Sequence, residues 1–335
     1  MKVLLQEGKT QYKANLHCHS CHSDGKLTPE EIKRIYLEKG YSILAITDHE
    51  HLLEHNDLSD ERMLFLTAYE VYVRTMPFDF KRGSQSHFNL YSKTPRNKMV
   101  YYTPNHTRYI PQEELENLQY YKYVERRENT VEFIQEMIAY AKECGYLVCH
   151  NHPTWSFESE SSEAAYDGCF AMEIYNHGAY QEGHFEYNQH YYERQLRRGL
   201  RMGLIAADDN HNHFELEDPA SDSFGGITYV LADQLEYASV IEALEKRNFY
   251  ASTGPQIFSF TSDNGLLTVK TSDAQGIWFV TNSKRRKAFW ARSDQALTSA
   301  VWEMSPEDDW IRIEVIDKQG KRAFTRAYEK EEIFE

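Results

Sequence analysis

The chain has 335 residues, of which 41% are hydrophobic, so it can bury a large core, and its length suggests one large domain with a smaller one. Its formal net charge of −15 at pH 7 argues against a surface that binds extended nucleic acid. No apolar run reaches the ~18 residues of a membrane span, and the N-terminus has no signal-peptide pattern. Together with five cysteines that lack disulfide-framework spacing, this predicts a cytoplasmic protein with no membrane partner.

Strand-like and helix-like segments alternate along residues 12 to 206. The predicted strands cover residues 12–18, 41–47, 62–69, 87–91, 146–149, 169–174 and 202–206. The predicted helices begin after Thr28, after Thr130 and near Phe185, and residues 92–128 form a long polar excursion over the mouth of the site. Polar residues gather after the strands, which is typical of an α/β parallel barrel with its site at the carboxyl ends of the strands. A doubly wound open sheet is the alternative.

The polar residues after the strands are candidate metal ligands. His17 and His19 have the i, i+2 spacing that points two imidazoles to the same side of an extended chain. The complete candidate set is His17, His19, Asp24, His49, Glu70, His87, His152, Asp209 and His211. Imidazole and carboxylate suit zinc, manganese or iron, and a carboxylate such as Glu70 can bridge two ions. We therefore expect two to three divalent metal ions as the cofactor.

Three choices between neighbouring residues stay open in the sequence. His22 competes with Asp24 as a ligand, although Asp24 is preferred. His152 is preferred over His150 because a proline follows it. Asp208 can orient a ligand while Asp209 binds directly.

The ordered candidates resemble the motifs of the PHP family, the polymerase and histidinol phosphatase metal-dependent phosphoesterases, over about residues 12–255. This resemblance implies a distorted seven-stranded (β/α) barrel of the TIM type that holds up to three divalent metals. It also implies three ligand sets, which are His17, His19, Glu70 and Asp209 for the first metal, Glu70, His87 and His152 for the second, and Asp24, His49 and His211 for the third.

The chemistry of such a centre predicts an enzyme. A water shared between cations loses a proton near neutral pH, and the metal-bridging hydroxide can attack phosphorus, with Glu70, Asp24 and Asp209 as the candidate catalytic carboxylates. We expect hydrolysis of a small phosphate monoester, either a nucleotide or a sugar phosphate. The alternatives are a phosphodiesterase or exonuclease, a hydrolase of carbon–nitrogen bonds, and a non-catalytic metal-binding regulatory module.

Four basic residues are candidates for contact with a phosphate group. Arg74, Lys81 and Arg82 lie between two candidate ligands, and Arg108 lies in the long excursion. Arginine and lysine are common on surface loops, so each of these residues is more simply interpreted as a surface charge than as a phosphate contact.

The pattern changes after Pro255 to short alternating strands with hairpin turns at Asn264-Gly265 and at residues 318–320. We interpret residues 256–335 as a small C-terminal β-sandwich domain appended to a barrel domain of residues 1–255. This segment has no metal or nucleophile pattern, so packing, dimerisation or shielding of the ligand are its candidate roles. A homo-oligomer therefore stays open.

Overall fold

The computed structural model describes residues 1–5, 10–75, 78–79, 83–158, 166–292 and 295–334. The strands are β1 (Lys2–Leu5), β2 (Thr10–Asn15), β3 (Ile43–Ala45), β4 (Leu64–Leu66), β5 (Ala68–Arg74), β6 (Gln85–Ser92), β7 (Met99–Tyr102), β8 (Gln119–Tyr123), β9 (Tyr146–His150), β10 (Ala171–Asn176), β11 (Gly203–Ala207), β12 (Ile227–Ala232), β13 (Phe249–Ser252), β14 (Ile257–Asp263), β15 (Leu266–Ala274), β16 (Gly276–Thr281), β17 (Lys287–Trp290), β18 (Leu297–Glu303), β19 (Trp310–Ile316), β20 (Arg322–Phe324) and β21 (Tyr328–Glu329). The α-helices are α1 (Pro29–Glu38), α2 (Gln112–Leu115), α3 (Val131–Glu143), α4 (His177–Gln181), α5 (Gln189–Arg197), α6 (Tyr237–Glu245) and α7 (Lys330–Phe334). No helix in these ranges is long and apolar enough to cross a membrane.

The predicted helices after Thr28 and after Thr130 form as their sequence signals indicate. Thr28 and Glu31 make a reciprocal capping box at the start of α1, whose buried face packs into the core. Thr130 caps α3 by accepting a hydrogen bond from the backbone N–H of Phe133. Their apolar stripes at helical spacing explain why both helices lie against the sheets.

The strands form two sheets that surround the site and two smaller ones. The ten-stranded sheet has the order β17-β16-β19-β20-β13-β12-β2-β3-β4, with β21 paired to β19, and the five-stranded sheet has the order β11-β10-β9-β6-β5. The sheet β1-β14-β15-β18 and the two-stranded ladder β7-β8 complete the set. The predicted mixed α/β class is confirmed.

The prediction of a closed barrel of parallel strands needs correction, because the ladders between the described strands do not close. Strand β5 follows β4 after one residue, and β6 pairs antiparallel with both β5 and β9. Parallel neighbours need a crossover of about a dozen residues or more, which the single residue between β4 and β5 cannot provide. Among the described residues, isolated bridges rather than ladders join the segments around the site, namely His49 to Glu70, Leu53 to Ala68 and Cys18 to Asn210.

The C-terminal strands pair with the first strand of the chain and with β13. Strand β14 pairs with the N-terminal strand β1, and β20 pairs with β13 through Ala251 and Phe324. Backbone pairing therefore crosses residue 255 in two places. The division into domains of residues 1–255 and 256–335 stays a prediction.

Candidate metal centre

The nine predicted ligands lie together in one cluster at the strand ends. His17 and His19 follow β2, His49 follows β3, and Glu70 and His87 lie within β5 and β6. The remaining residues are Asp24, in the loop after His19, His152, after β9, and Asp209 and His211, both after β11. His22, His150 and Asp208, the alternatives that the sequence left open, lie outside this cluster.

Glu70 is the centre of this cluster. Its Oε1 atom lies 3.4 Å from His17 Nε2, 3.1 Å from His87 Nδ1 and 3.4 Å from His152 Nε2. Its Oε2 atom lies 2.8 Å from His49 Nδ1 and 3.5 Å from His19 Nε2. The side chain is 1% exposed, so both oxygens face imidazole nitrogens rather than solvent. This geometry allows one carboxylate to serve two ions.

Asp209 forms a second carboxylate position beside Glu70. Its Oδ1 atom lies 3.0 Å from both His17 Nε2 and His19 Nε2, and its Oδ2 atom lies 3.7 Å from His152 Nε2. Asp209 and His152 have positive φ angles of 53° and 22°, which non-glycine residues rarely adopt and which cost about 1–3 kcal/mol each. Such strain at two neighbouring polar residues is typical of functional sites.

Asp24 joins the histidines on the outer side of the cluster. Its Oδ1 atom lies 3.4 Å from His211 Nε2 and 3.8 Å from His19 Nδ1, and its Oδ2 atom lies 3.5 Å from His49 Nε2. His22, the alternative to Asp24, is exposed and its ring instead neighbours His51 and His55. The geometry therefore brings Asp24 and not His22 into the cluster.

Several ligand atoms of the cluster are buried without a hydrogen bond to another described residue, as expected for atoms that bind divalent cations. His49 Nδ1 and Glu70 Oε2 lie 2.8 Å apart, yet both atoms are buried without a hydrogen bond that meets geometric criteria among the described residues. His87 Nε2 and Asp24 Oδ1 are likewise buried and lack a hydrogen-bond partner in the described ranges. Buried polar atoms without partners are costly, and a shared cation would satisfy them.

The candidate ligands form four groups, and within each group the ligand atoms lie within 4.8 Å of one another. The groups are His19, Asp24, His49 and His211; His17, His19 and Glu70; His17, His152 and Asp209; and His49, Glu70 and His87. The first group contains the whole set implied for the third metal. The sets implied for the other two metals are divided differently, because His152 groups with His17 and Asp209 rather than with His87. The assignment of ligands to individual ions stays a prediction.

Glu173 is a buried carboxylate that the sequence analysis missed. Its Oε1 atom lies 2.7 Å from His17 Nδ1, and its Oε2 atom accepts hydrogen bonds from the backbone N–H of His152 and from Asn176. A neutral His17 that donates its Nδ1 hydrogen to Glu173 presents the Nε2 lone pair to the cluster. Asn176 also donates to Asp209 Oδ2. Glu173 thus orients two candidate ligands directly and a third through Asn176.

We expect Glu173→Gln to weaken metal binding by about 10- to 100-fold, because the amide cannot replace both carboxylate contacts. Titration of chelator-treated protein with zinc or manganese measures this change. Glu143→Gln, at an exposed glutamate, is the control. Equal affinity in both variants would show that Glu173 does not position His17 or His152.

His150 points away from the cluster. Its Nε2 atom lies 2.9 Å from Glu158 Oε1, and its ring packs against Phe88 and Tyr166. Asp208 is also withdrawn, since its carboxylate accepts hydrogen bonds from the Tyr36 hydroxyl and from the backbone of Phe224 and Gly226. His152 and Asp209 are therefore the members of each pair that face the other candidates.

In the metal-free cluster, nearby carboxylates raise the pKa of His17 and His211, whereas burial lowers the pKa of His19 and His87. Burial lowers the pKa of His211, but Asp24 and Asp209 raise it, and the result is about 9. Burial raises the pKa of the Asp24 carboxyl, but His211, His49 and His19 lower it well below its usual range. Burial also opposes protonation of His17, whose pKa Asp209, Glu70 and Glu173 nevertheless raise well above the ordinary value.

The raised pKa of His211 predicts that the stability of the metal-free protein depends on pH. An unfolded histidine has a pKa near ~6.5, so the stabilisation from protonated His211 is fully present below pH ~6.5 and is lost as the pH rises through about 9. We expect the free energy of unfolding to decrease over this interval, and His211→Gln to flatten the decrease. Urea unfolding of chelator-treated protein at several pH values measures both. An equally steep decrease in the variant would contradict the prediction.

The cluster opens into a cleft of about 530 Å³. Trp155, Gln181, His213 and Phe214 line its wall beside the candidate ligands. Trp155 is fixed by a hydrogen bond from its indole N–H to Glu182. The cleft is thus wide enough for a small organic molecule, and a rigid aromatic side chain bounds it next to His152.

Two of the four basic candidates lie beside this cleft. Arg74 and Arg108 line an adjoining cavity that shares His49 and His87 with the cleft. Tyr109, from the same excursion as Arg108, donates a hydrogen bond to Asp24 Oδ2, so this excursion reaches the site. Lys81 and Arg82 lie outside the described residues.

Fold and site together define a mixed α/β protein with a candidate polynuclear metal centre. No family model matches the sequence. No curated protein matches it either.

The chain is similar to several solved structures. A two-domain protein from Bacteroides vulgatus that contains a predicted PHP-like metal-dependent phosphoesterase is 14% identical, with 98% of each chain covered and a TM-score of 0.47. A proposed metal-dependent phosphoesterase from Bifidobacterium adolescentis is 15% identical over 70% of this chain and 96% of its own, with a TM-score of 0.41. An amidohydrolase from Chromobacterium violaceum, with bound sulfate and no metal, is 17% identical over 62% of this chain and 93% of its own, with a TM-score of 0.38. With TM-scores below 0.5, these similarities do not establish the chemistry of this chain.

Proposed function

We propose that this protein is a metal-dependent phosphoesterase that hydrolyses a small phosphate monoester, such as a nucleotide or a sugar phosphate. The observation that carries the proposal is the convergence of nine imidazole and carboxylate side chains, in four overlapping groups, at the floor of an open cleft. Structural sites usually enclose one ion completely, whereas catalytic sites keep an open position for water or substrate.

The donor set supports two to three divalent ions, with zinc, manganese and iron as the candidates. When bound, such ions supply positive charge to phosphate oxygens and lower the pKa of water, which is the chemistry that phosphate ester hydrolysis requires. Glu70 places one oxygen toward His17, His87 and His152 and the other toward His19 and His49, so it is the candidate bridge.

The next residues of the site are two further candidate ligands and an aromatic side chain at the wall of the cleft. Asn176 donates a hydrogen bond to Asp209 Oδ2, which orients the carboxylate. The backbone of Asp209 has a positive φ of 53°. Asp24 lies at the edge of the cleft, where 36% of its side chain is exposed, and is the most exposed of the three candidate carboxylates. Trp155 bounds the cleft beside His152 and His87 and limits the water that can enter there.

Three features support a small substrate. The cleft volume of about 530 Å³ lies within the ~300–1,000 Å³ typical of small-molecule sites. The net charge of −15 opposes the binding of a long polyanion, which disfavours an exonuclease. Among the described residues, charged and aromatic side chains of the excursion over 92–128 also narrow the approach.

Phosphate release tests the proposal. Chelator-treated protein is reloaded with zinc, manganese or iron and incubated with nucleotides, sugar phosphates, phosphodiesters and amides. We expect metal-dependent release from at least one monoester class and little from diesters. Hydrolysis of amides without any phosphate release would favour a carbon–nitrogen hydrolase, and metal binding without turnover of any substrate would favour a regulatory module.

We further propose that the two sheets around the site correspond to a distorted (β/α) barrel in which single bridges replace two ladders. The resemblance of the ligand motifs to the PHP family supports this correspondence. Two domains, a homo-oligomer and a cytoplasmic location stay predictions. Limited proteolysis near residue 255 and size-exclusion chromatography test the first two.

A further inference from the structure

A second cavity, of about 220 Å³, lies next to the metal-centre cleft and shares His49 and His87 with it. Its other side carries Arg74, His106 and Arg108. Arg74 lies on β5, four residues after Glu70, and Arg108 lies in the excursion that crosses the site. The cavity therefore adjoins the centre at His49 and His87 and carries two arginines in addition.

The two arginines are presented to the cavity rather than used in the fold. The Arg74 guanidinium lies 5.0 Å from the centroid of the Tyr72 ring, and Arg108 lies 5.1 Å from that of Tyr109. Arg74 Nε is buried and has no hydrogen-bond partner among the described residues. Neither guanidinium pairs with a carboxylate in the part of the chain that the structure describes. Aromatic stacking fixes such groups while leaving their N–H donors free.

The acidic residue of the same cavity is already neutralised. Glu50 receives two hydrogen bonds from Arg127, at 2.6 and 2.8 Å, and Arg127 is itself buried. The charges of Arg74 and Arg108 are therefore not balanced by Glu50. Arg74 is partly buried, whereas Arg108 is exposed. A partly buried guanidinium without a counterion is costly, so Arg74 indicates that a ligand completes the site.

His106 adds a neutral donor to the cavity. The side chain is buried, and neither ring nitrogen has a hydrogen-bond partner among the described residues. Burial, together with Arg127 and Arg74, lowers the pKa of His106 to about 3, so the imidazole is neutral at pH 7 and offers one N–H. Two guanidinium groups and one imidazole N–H form a donor set suited to an oxyanion.

We propose that this cavity binds a second oxyanion group of the substrate, a phosphate or a carboxylate, carried by the part of the molecule that leaves when the ester at the metal centre is hydrolysed. The inference rests on the proposed function and narrows its substrate class to esters with two anionic ends. A volume of about 220 Å³ is below the ~300 Å³ of pockets that enclose a whole ligand, so the cavity takes one end of the molecule.

Binding to the metal-free protein tests the subsite without catalysis. Chelator-treated wild type is titrated calorimetrically with inorganic phosphate and, separately, with glycerate. The same titrations use the double variant Arg74→Gln/Arg108→Gln and the control Arg126→Gln, whose arginine is exposed in the same region of the chain. We expect at least tenfold weaker binding in the double variant alone, since hydrogen bonds to charged groups contribute about this much. Equal affinity in wild type and double variant, or no binding to wild type, would overturn the proposal.

Matched esters then distinguish the two oxyanions. Glycerol phosphate is compared with phosphoglycerate, and glucose phosphate with glucose bisphosphate, on metal-loaded protein. We expect kcat/KM to be at least tenfold higher for the ester with the second anion of the preferred kind, and the double variant to lose this preference mainly through KM. Equal turnover of both members of both pairs would overturn the subsite. Arginine-dependent anion binding without hydrolysis of any ester would retain the subsite and refute the phosphoesterase.

Discussion

Replacing Glu70 by glutamine is expected to remove most of the bound metal and to lower turnover by about 10³-fold or more. Glu70 is the carboxylate that lies within 3.5 Å of five candidate ligands, His17, His19, His49, His87 and His152. Glutamine has the same size but carries no charge, so it cannot bridge two cations. The loss of several kcal/mol of charge stabilisation in the transition state corresponds to a rate effect of about this size.

Elemental analysis and a phosphate-release assay of the same Glu70→Gln sample measure both effects. Glu143→Gln controls for the removal of an acidic group, and circular dichroism verifies that the variant is folded. Burial raises the pKa of the Glu70 carboxyl, but His17, His87 and His49 lower it well below its ordinary value, so the wild-type group is ionised at neutral pH. Unchanged metal content and rate in Glu70→Gln would remove this residue from the site.

Alanine substitutions at His152 and His150 are expected to have opposite consequences. His152 Nε2 lies 3.4 Å from Glu70 Oε1, so we expect His152→Ala to weaken metal binding by at least about 10²-fold and to lower turnover accordingly. His150 instead pairs with Glu158, and both side chains are almost fully buried. We expect His150→Ala to leave a buried carboxylate without its cationic or donor partner and to cost about 3 kcal/mol or more of stability.

The two variants act as controls for each other, because both remove one buried imidazole two residues apart. Metal content per folded chain and urea unfolding of the metal-free protein are measured for each. His150→Ala should retain its metal, whereas His152→Ala should lose it. A larger loss of metal in His150→Ala than in His152→Ala would reverse the choice between the two histidines.

Local patterns were sufficient to predict which side chains the fold brings together, while their role as ligands stays a prediction. The i, i+2 spacing of His17 and His19, and the position of Asp209 after an apolar run, placed these residues correctly because a strand end is a local feature. Glu70 was expected after its strand but lies inside β5. A carboxylate within this apolar run faces five imidazoles, and a shared cation would satisfy the oxygen that they leave without a hydrogen bond.

The residues that were missed depend on contacts distant in sequence. Glu173 lies within the fully buried strand β10, and only the folded structure places it beside His17, which is 156 residues away. The pairing of β1 with β14 joins segments more than 250 residues apart, which no local periodicity can indicate. The antiparallel pairing of β5, β6 and β9 was missed because strand direction also depends on long-range packing.

Elemental analysis of the purified, metal-reconstituted protein tests the polynuclear centre most directly. Four overlapping groups of ligand atoms lead us to expect two to three divalent ions per chain, and Glu70→Gln, measured beside the wild type, to hold fewer. Less than one ion per chain in wild type after reconstitution with zinc, manganese and iron in turn would contradict the metal centre, and with it the proposed hydrolysis.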